Sequence, residues 1–119
     1  AHHPSEIQVT FDSLKQKYKN YNILIVFQPH TYTRTIYLYK EFQNVFKDKN
    51  VYIMDTFTAR ENYNETTEMV IKSIFSDQKK YDEKAIKDIL TQEKQLVVFM
   101  GAGNVYKEFK KISKYYNNL

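Results

Sequence analysis

The chain contains no cysteine and no tryptophan, and only 2 glycines and 2 prolines among its 119 residues. Without cysteine there is no disulfide framework, no zinc–thiolate centre and no cysteine nucleophile, which fits a reducing compartment. No run of about 18 apolar residues occurs, so no segment is expected to cross a membrane as a helix. The opening Ala1-His2-His3-Pro4 lacks the basic-then-apolar shape of a signal peptide. Glycine is scarce against an average usage that would place about 8 in a chain this long. Arginine is scarce too: of 18 basic side chains, Arg34 and Arg60 are the two arginines and the rest are lysine. In a chain so rich in Lys, Asn, Tyr and Ile, residues have been exchanged wherever exchange is cheap. The rare types are therefore the ones to locate.

What is present is ordinary for a globular chain: 42% hydrophobic and 27% charged residues. The length suits one domain, residues 1–119. A net charge of +4 allows an anionic partner without singling out nucleic acid. Apolar positions at Ile7, Phe11, Leu14 and Tyr18 predict a helix over 5–19, with Ser5 and Glu6 near its start. Ile23 to Phe27 is a continuous apolar run, as in a strand buried on both faces. Thr31 or Thr33 can cap a second helix running to Phe46, with Ile36, Tyr39, Phe42, Val45 and Phe46 inward. Val51 to Met54 reads as a second buried strand, followed by a polar loop over 55–64. Thr66 can cap a helix to Phe75 with Met69, Val70, Ile74 and Phe75 inward. A short strand at Lys80-Tyr81, a helix over Glu83–Gln92, a strand over Gln95–Met100 and a helix over 104–116 follow. Alternating strands and helices predict the α/β class, with a mostly parallel sheet flanked by helices. Such sheets bind ligands beyond the carboxyl ends of their strands.

The rare residues gather there. Pro29, His30 and Arg34 follow the first strand, Arg60 follows the second, and Gly101 and Gly103 follow the third. His2, His3 and Pro4 precede the first helix. Arg34 sits in the predicted first turn of a helix, where the macrodipole disfavours a cation but free N–H groups attract an anion. That placement points to a carboxylate or phosphate ligand held between them. Arg60 beside Glu61 reads as a local ion pair. Gly101-Ala102-Gly103 is not a dinucleotide fingerprint, because Tyr106 stands at the third glycine position. Its glycines suit a tight turn close to a ligand or a neighbouring domain. The three histidines do not have metal-site spacing, and no phosphate-cradling G-x-x-x-x-G-K-[ST] occurs. The lysine-rich segment Lys107, Lys110, Lys111 and Lys114 reads as a solvated helix face rather than a nucleic-acid surface.

Four stretches carry a resemblance: Ala1-His2-His3-Pro4-Ser5-Glu6-Ile7, Phe27-Gln28-Pro29-His30-Thr31-Tyr32-Thr33-Arg34-Thr35, Ala59-Arg60-Glu61 and Met100-Gly101-Ala102-Gly103-Asn104. In this order they resemble the C-terminal domain of the Mur ligases that join L-alanine to UDP-N-acetylmuramate. The resemblance implies a Rossmann-like three-layer domain of a three-domain cytoplasmic enzyme, whose UDP-sugar and central ATPase domains lie outside this chain. It implies ATP and Mg2+ as cofactors, held mainly by the central domain. The lactyl carboxylate of UDP-N-acetylmuramate becomes an acyl phosphate, which the amine of L-alanine attacks. By the same resemblance Arg34, His2 and His30 would line the L-alanine pocket. His3, Pro4, Thr31, Arg60, Gly101, Gly103 and Asn104 would face the other domains or the nucleotide. No catalytic residue and no metal ligand are expected in this domain, and no activity from it alone; neither nucleic acid nor a membrane is an expected partner. The related murein peptide ligase and a stand-alone binding module are the alternatives.

Overall fold

A computed structural model describes residues 2–101 and 103–117. The element order is α1 (Pro4–Lys17), β1 (Asn22–Gln28), α2 (Tyr32–Tyr37), α3 (Tyr39–Phe46), β2 (Asn50–Ile53), α4 (Glu65–Ile74), β3 (Lys79–Lys80), α5 (Glu83–Ile89), β4 (Gln95–Gly101) and α6 (Val105–Asn117). The strands form one sheet in the order β3-β2-β1-β4, and every pairing is parallel. The α/β expectation holds, and the carboxyl ends of β1, β2 and β4 come side by side.

The apolar run of β1 explains its central place. Its side chains alternate between two cores, so every residue from Leu24 to Phe27 needs apolar cover. Ile25 and Phe27 face a core with Ile7, Phe42, Phe46, Ile71 and Phe75. Leu24 and Val26 face a second core with Tyr52, Ile86 and Ile112. The chain steps from β1 to β2 to β3 in one direction, with α2–α4 packed on the first core. It then jumps back past both inner strands to β4, and α5 and α6 cover the other face. Right-handed crossovers in opposite directions produce this division. In the first core Phe27 meets Phe42, Phe46 and Phe75 at ring-centroid distances of 5.4, 5.2 and 6.4 Å.

Three local expectations change. The single helix expected up to Phe46 is two helices, divided at Leu38 (φ −103°, ψ 19°). Ile36 and Tyr39 on either side of the break are exposed rather than inward. In α4 Met69 and Val70 are also exposed, and the buried stripe is Glu68, Ile71 and Ile74. Asn64, not Thr66, caps that helix, its side-chain oxygen accepting from Thr67 N–H at 3.0 Å. Two lysines of the last helix are occupied locally: Lys111 pairs with Glu83 and Glu108, and Lys110 lies over the Tyr106 ring.

Candidate functional site

The first rare stretch opens α1. His3, not Ser5, is the N-cap: its ring nitrogen accepts from Ser5 N–H, and Glu6 reaches back to accept from His3 N–H at 3.2 Å. This reciprocal arrangement satisfies two of the helix's free donors. Pro4 is buried at the first helical position, where its missing N–H costs nothing. His3 is thereby fixed, and His2 projects toward the end of β1. Its ring lies 6.2 Å from that of His30. Burial holds the His2 imidazole below its ordinary pKa, and Arg34 and His30 add to the depression against the opposing pull of Glu6.

The second stretch turns β1 into α2. Thr31 holds a positive φ of 62°, rare for a β-branched residue, and its side-chain oxygen accepts from Arg34 N–H at 3.3 Å. The expected open helix end is not open. The carboxylate of Glu61 accepts from Tyr32 N–H at 2.6 Å and Thr33 N–H at 3.4 Å, and the Thr33 hydroxyl donates to it. The Thr33 hydroxyl first, and these N–H groups with it, hold the Glu61 carboxyl below its usual pKa. Glu61 is thus bound to α2, and among the described residues neither Arg34 nor Arg60 has an ion pair. Both arginines are exposed.

The loop after β2 joins these pieces to the glycine turn. Phe57 N–H donates to Pro29 O at 2.9 Å, and Thr31 N–H donates to Phe57 O at 2.8 Å. The Phe57 ring stacks on His30 at 5.8 Å with 25° between the planes. Its other neighbour is Gly103 (φ 81°), where any Cβ would run into the ring. Gly101 (φ 121°) is closer still to β1: a Cβ would overlap the Gln28 carbonyl oxygen and stand 3.1 Å from its nitrogen. The close approach expected at this glycine turn is therefore steric at both positions, against Gln28 and Phe57 of the chain itself.

The candidate residues divide between two concavities on the carboxyl edge. One, about 780 Å³ and open, is lined by His2, His3, Thr31, Thr33, Arg34 and Tyr37, among others. The other, about 380 Å³, lies on the α6 side, where Asn104, Gln28, Lys80 and Lys107 are among the lining residues. There the Tyr81 hydroxyl donates to Glu108 at 3.1 Å, and burial with that carboxylate pushes the phenol pKa up. Pro4, His30, Arg60, Gly101 and Gly103 line neither. A more apolar cavity of about 250 Å³ beside α4 holds none of the site residues expected from the sequence. Among the described residues no three His, Asp or Glu side chains form a metal-binding group.

No family model matches the chain. Curated relatives do. It is 38% identical over 111 residues to the UDP-N-acetylmuramate–L-alanine ligase of Lactococcus lactis, covering 90% of this chain and 25% of that protein. The Aquifex aeolicus ligase of the same name is 34% identical over 113 residues, with 90% and 25% covered. The crystal structure of the UDP-N-acetylmuramate–alanine ligase of Thermotoga maritima superposes with a TM-score of 0.64 at 19% identity, covering 99% of this chain and 25% of that one. Over most of its length the chain is thus similar to one part of the UDP-N-acetylmuramate–L-alanine ligases. It spans about a quarter of the length of the curated relatives it matches.

Three residues of this edge have roles that their place in the sequence does not announce. Glu61 looked like the partner of Arg60, Phe57 looked like loop, and Gln28 looked like the end of a strand. Gln28 is 2% exposed, donates from its amide to Asp55 O at 3.1 Å and leaves its Oε1 without a partner. Only the pairing of Glu61 with a hydroxyl and helix start 28 residues away would have revealed it, and sequence order gives no such signal.

Proposed function

We propose that this chain is the C-terminal, amino-acid-binding and closing domain of an ATP-dependent ligase that joins L-alanine to UDP-N-acetylmuramate in peptidoglycan synthesis. The observation that carries the reading is Arg34. Its guanidinium is exposed at the rim of the 780 Å³ concavity, beside His2, with no ion pair among the described residues. A planar guanidinium matches a carboxylate bidentately. Holding the L-alanine carboxylate there leaves its amine free to attack an acyl phosphate. The contribution is positioning, which replaces a bimolecular encounter with an oriented one. Burial lowers the His2 pKa, which disfavours a competing charge beside Arg34.

ATP and Mg2+ belong to the rest of the ligase in this reading. The chain has no G-x-x-x-x-G-K-[ST] segment, and its described residues offer no three-ligand metal group. In this reading turnover requires the complete enzyme. Nucleotide-linked substrates place that enzyme in the cytoplasm. No described helix is long and apolar enough to cross a membrane. The test is Arg34→Ala in the complete ligase. The expected result is a KM for L-alanine raised at least tenfold with the KM for ATP within twofold. Equal effects on both would remove Arg34 from the carboxylate site.

A further inference from the structure

Arg34 stands on a helix of only six residues, Tyr32–Tyr37, which has too few internal hydrogen bonds to hold its own direction. Something outside α2 must therefore fix it. The Thr31 side chain supplies one acceptor, to Arg34 N–H, from a backbone held at φ 62°. The other first-turn donors, Tyr32 N–H and Thr33 N–H, together with the Thr33 hydroxyl, all go to one carboxylate on a different loop, Glu61. That loop is itself anchored. Glu61 N–H donates to Thr58 O at 2.9 Å, and Phe57 is stitched by backbone bonds to Pro29 and Thr31. The helix end that would otherwise attract an anion is already neutralised.

We propose that Glu61 is the positioning residue for Arg34. It clamps the start of α2 so that the guanidinium faces the concavity, and it fills the helix end so that an incoming carboxylate is left to Arg34. This rests on the reading of Arg34 as the L-alanine carboxylate partner. Glu61 touches no substrate in this arrangement and acts only through α2.

The experiment is a double-mutant cycle in the complete ligase, read as KM for L-alanine, KM for ATP and kcat. Glu61→Ala is expected to raise the KM for L-alanine five- to fiftyfold, with kcat and the KM for ATP within twofold. Glu61→Gln, which keeps one oxygen for Tyr32 N–H, is expected to recover part of that loss. In an Arg34→Ala background Glu61→Ala is expected to add less than twofold. If Glu61→Ala destabilises the enzyme, Thr33→Val removes one clamp bond alone and is expected to raise the same KM about two- to fivefold. An unchanged KM in Glu61→Ala and Thr33→Val, or full additivity with Arg34→Ala, overturns the positioning role and leaves the Arg34 reading standing. An Arg34→Ala enzyme with an unaltered KM for L-alanine overturns both.

Discussion

Replacing Gly101 with alanine tests the closest glycine-to-backbone contact at the site's edge. The residue closes β4 beside Gln28 of β1, with φ at 121°. An L side chain there adopts a backbone region almost confined to glycine, which costs about 1–3 kcal/mol. The added Cβ also overlaps the Gln28 carbonyl oxygen, and that backbone is held in the parallel register Gln28↔Gly101. Relieving such an overlap in a packed interior costs roughly another 1–3 kcal/mol. Together these give about 4 kcal/mol, a large share of the roughly 5–15 kcal/mol that stabilises a typical domain. At about 4 °C per kcal/mol for a chain of this size, the melting temperature falls by about 16 °C. Thermal unfolding of the 119-residue chain, followed by circular dichroism, measures it. A Gly101→Ala chain melting within about 3 °C of the parent would refute the backbone-clash argument, since even the φ strain alone exceeds that.

Two further outcomes follow from the same geometry. Folding lowers the His2 pKa through burial first and the Arg34 charge second. A depressed folded pKa means that the stability contributed by His2 is complete above its unfolded value near 6.5 and is lost as pH falls through the folded value. Arg34→Ala should therefore raise the His2 pKa in an NMR titration of the ring protons, and an unmoved pKa would separate the two residues. In α4, Ile71→Ala should cost about 2–5 kcal/mol in urea unfolding, and Met69→Gln less than about 0.5, because Ile71 is 2% exposed and Met69 is 65% exposed. Equal costs would restore the inward assignment of Met69.

The strands and the rare residues were legible because each depends on local pattern. An apolar run such as Ile23–Phe27 has few alternatives to a doubly covered strand, and β1 sits in the sheet interior. The parallel sheet then brings the ends of β1, β2 and β4 together, so residues far apart in sequence meet. Side-chain choices between long-range partners were not legible. The break at Leu38 has no proline or glycine to mark it; the apolar spacing continues smoothly into α3. In α4 a carboxylate, Glu68, lies inside while Met69 and Val70 lie outside. A hydropathy stripe assigns the opposite because it gives a glutamate no inward place. Glu61 was misread for a related reason. Its adjacent arginine suggested an ion pair, but two amide donors and a hydroxyl at the start of α2 hold the carboxylate more directionally than an exposed cation does.

The central claim is that Arg34 recognises the carboxylate of L-alanine, and removing that carboxylate from the substrate tests it most directly. L-Alaninamide keeps the attacking amine and the methyl group but offers no anion. A charge-assisted hydrogen-bonded contact is worth about 1.5–3 kcal/mol, or roughly a 10- to 150-fold preference. The parent ligase should favour L-alanine over L-alaninamide by about that factor in kcat/KM. Arg34→Ala should reduce the preference to within about threefold, chiefly by losing activity on L-alanine. A preference that survives undiminished in Arg34→Ala would contradict the assignment and place the carboxylate partner elsewhere in the ligase.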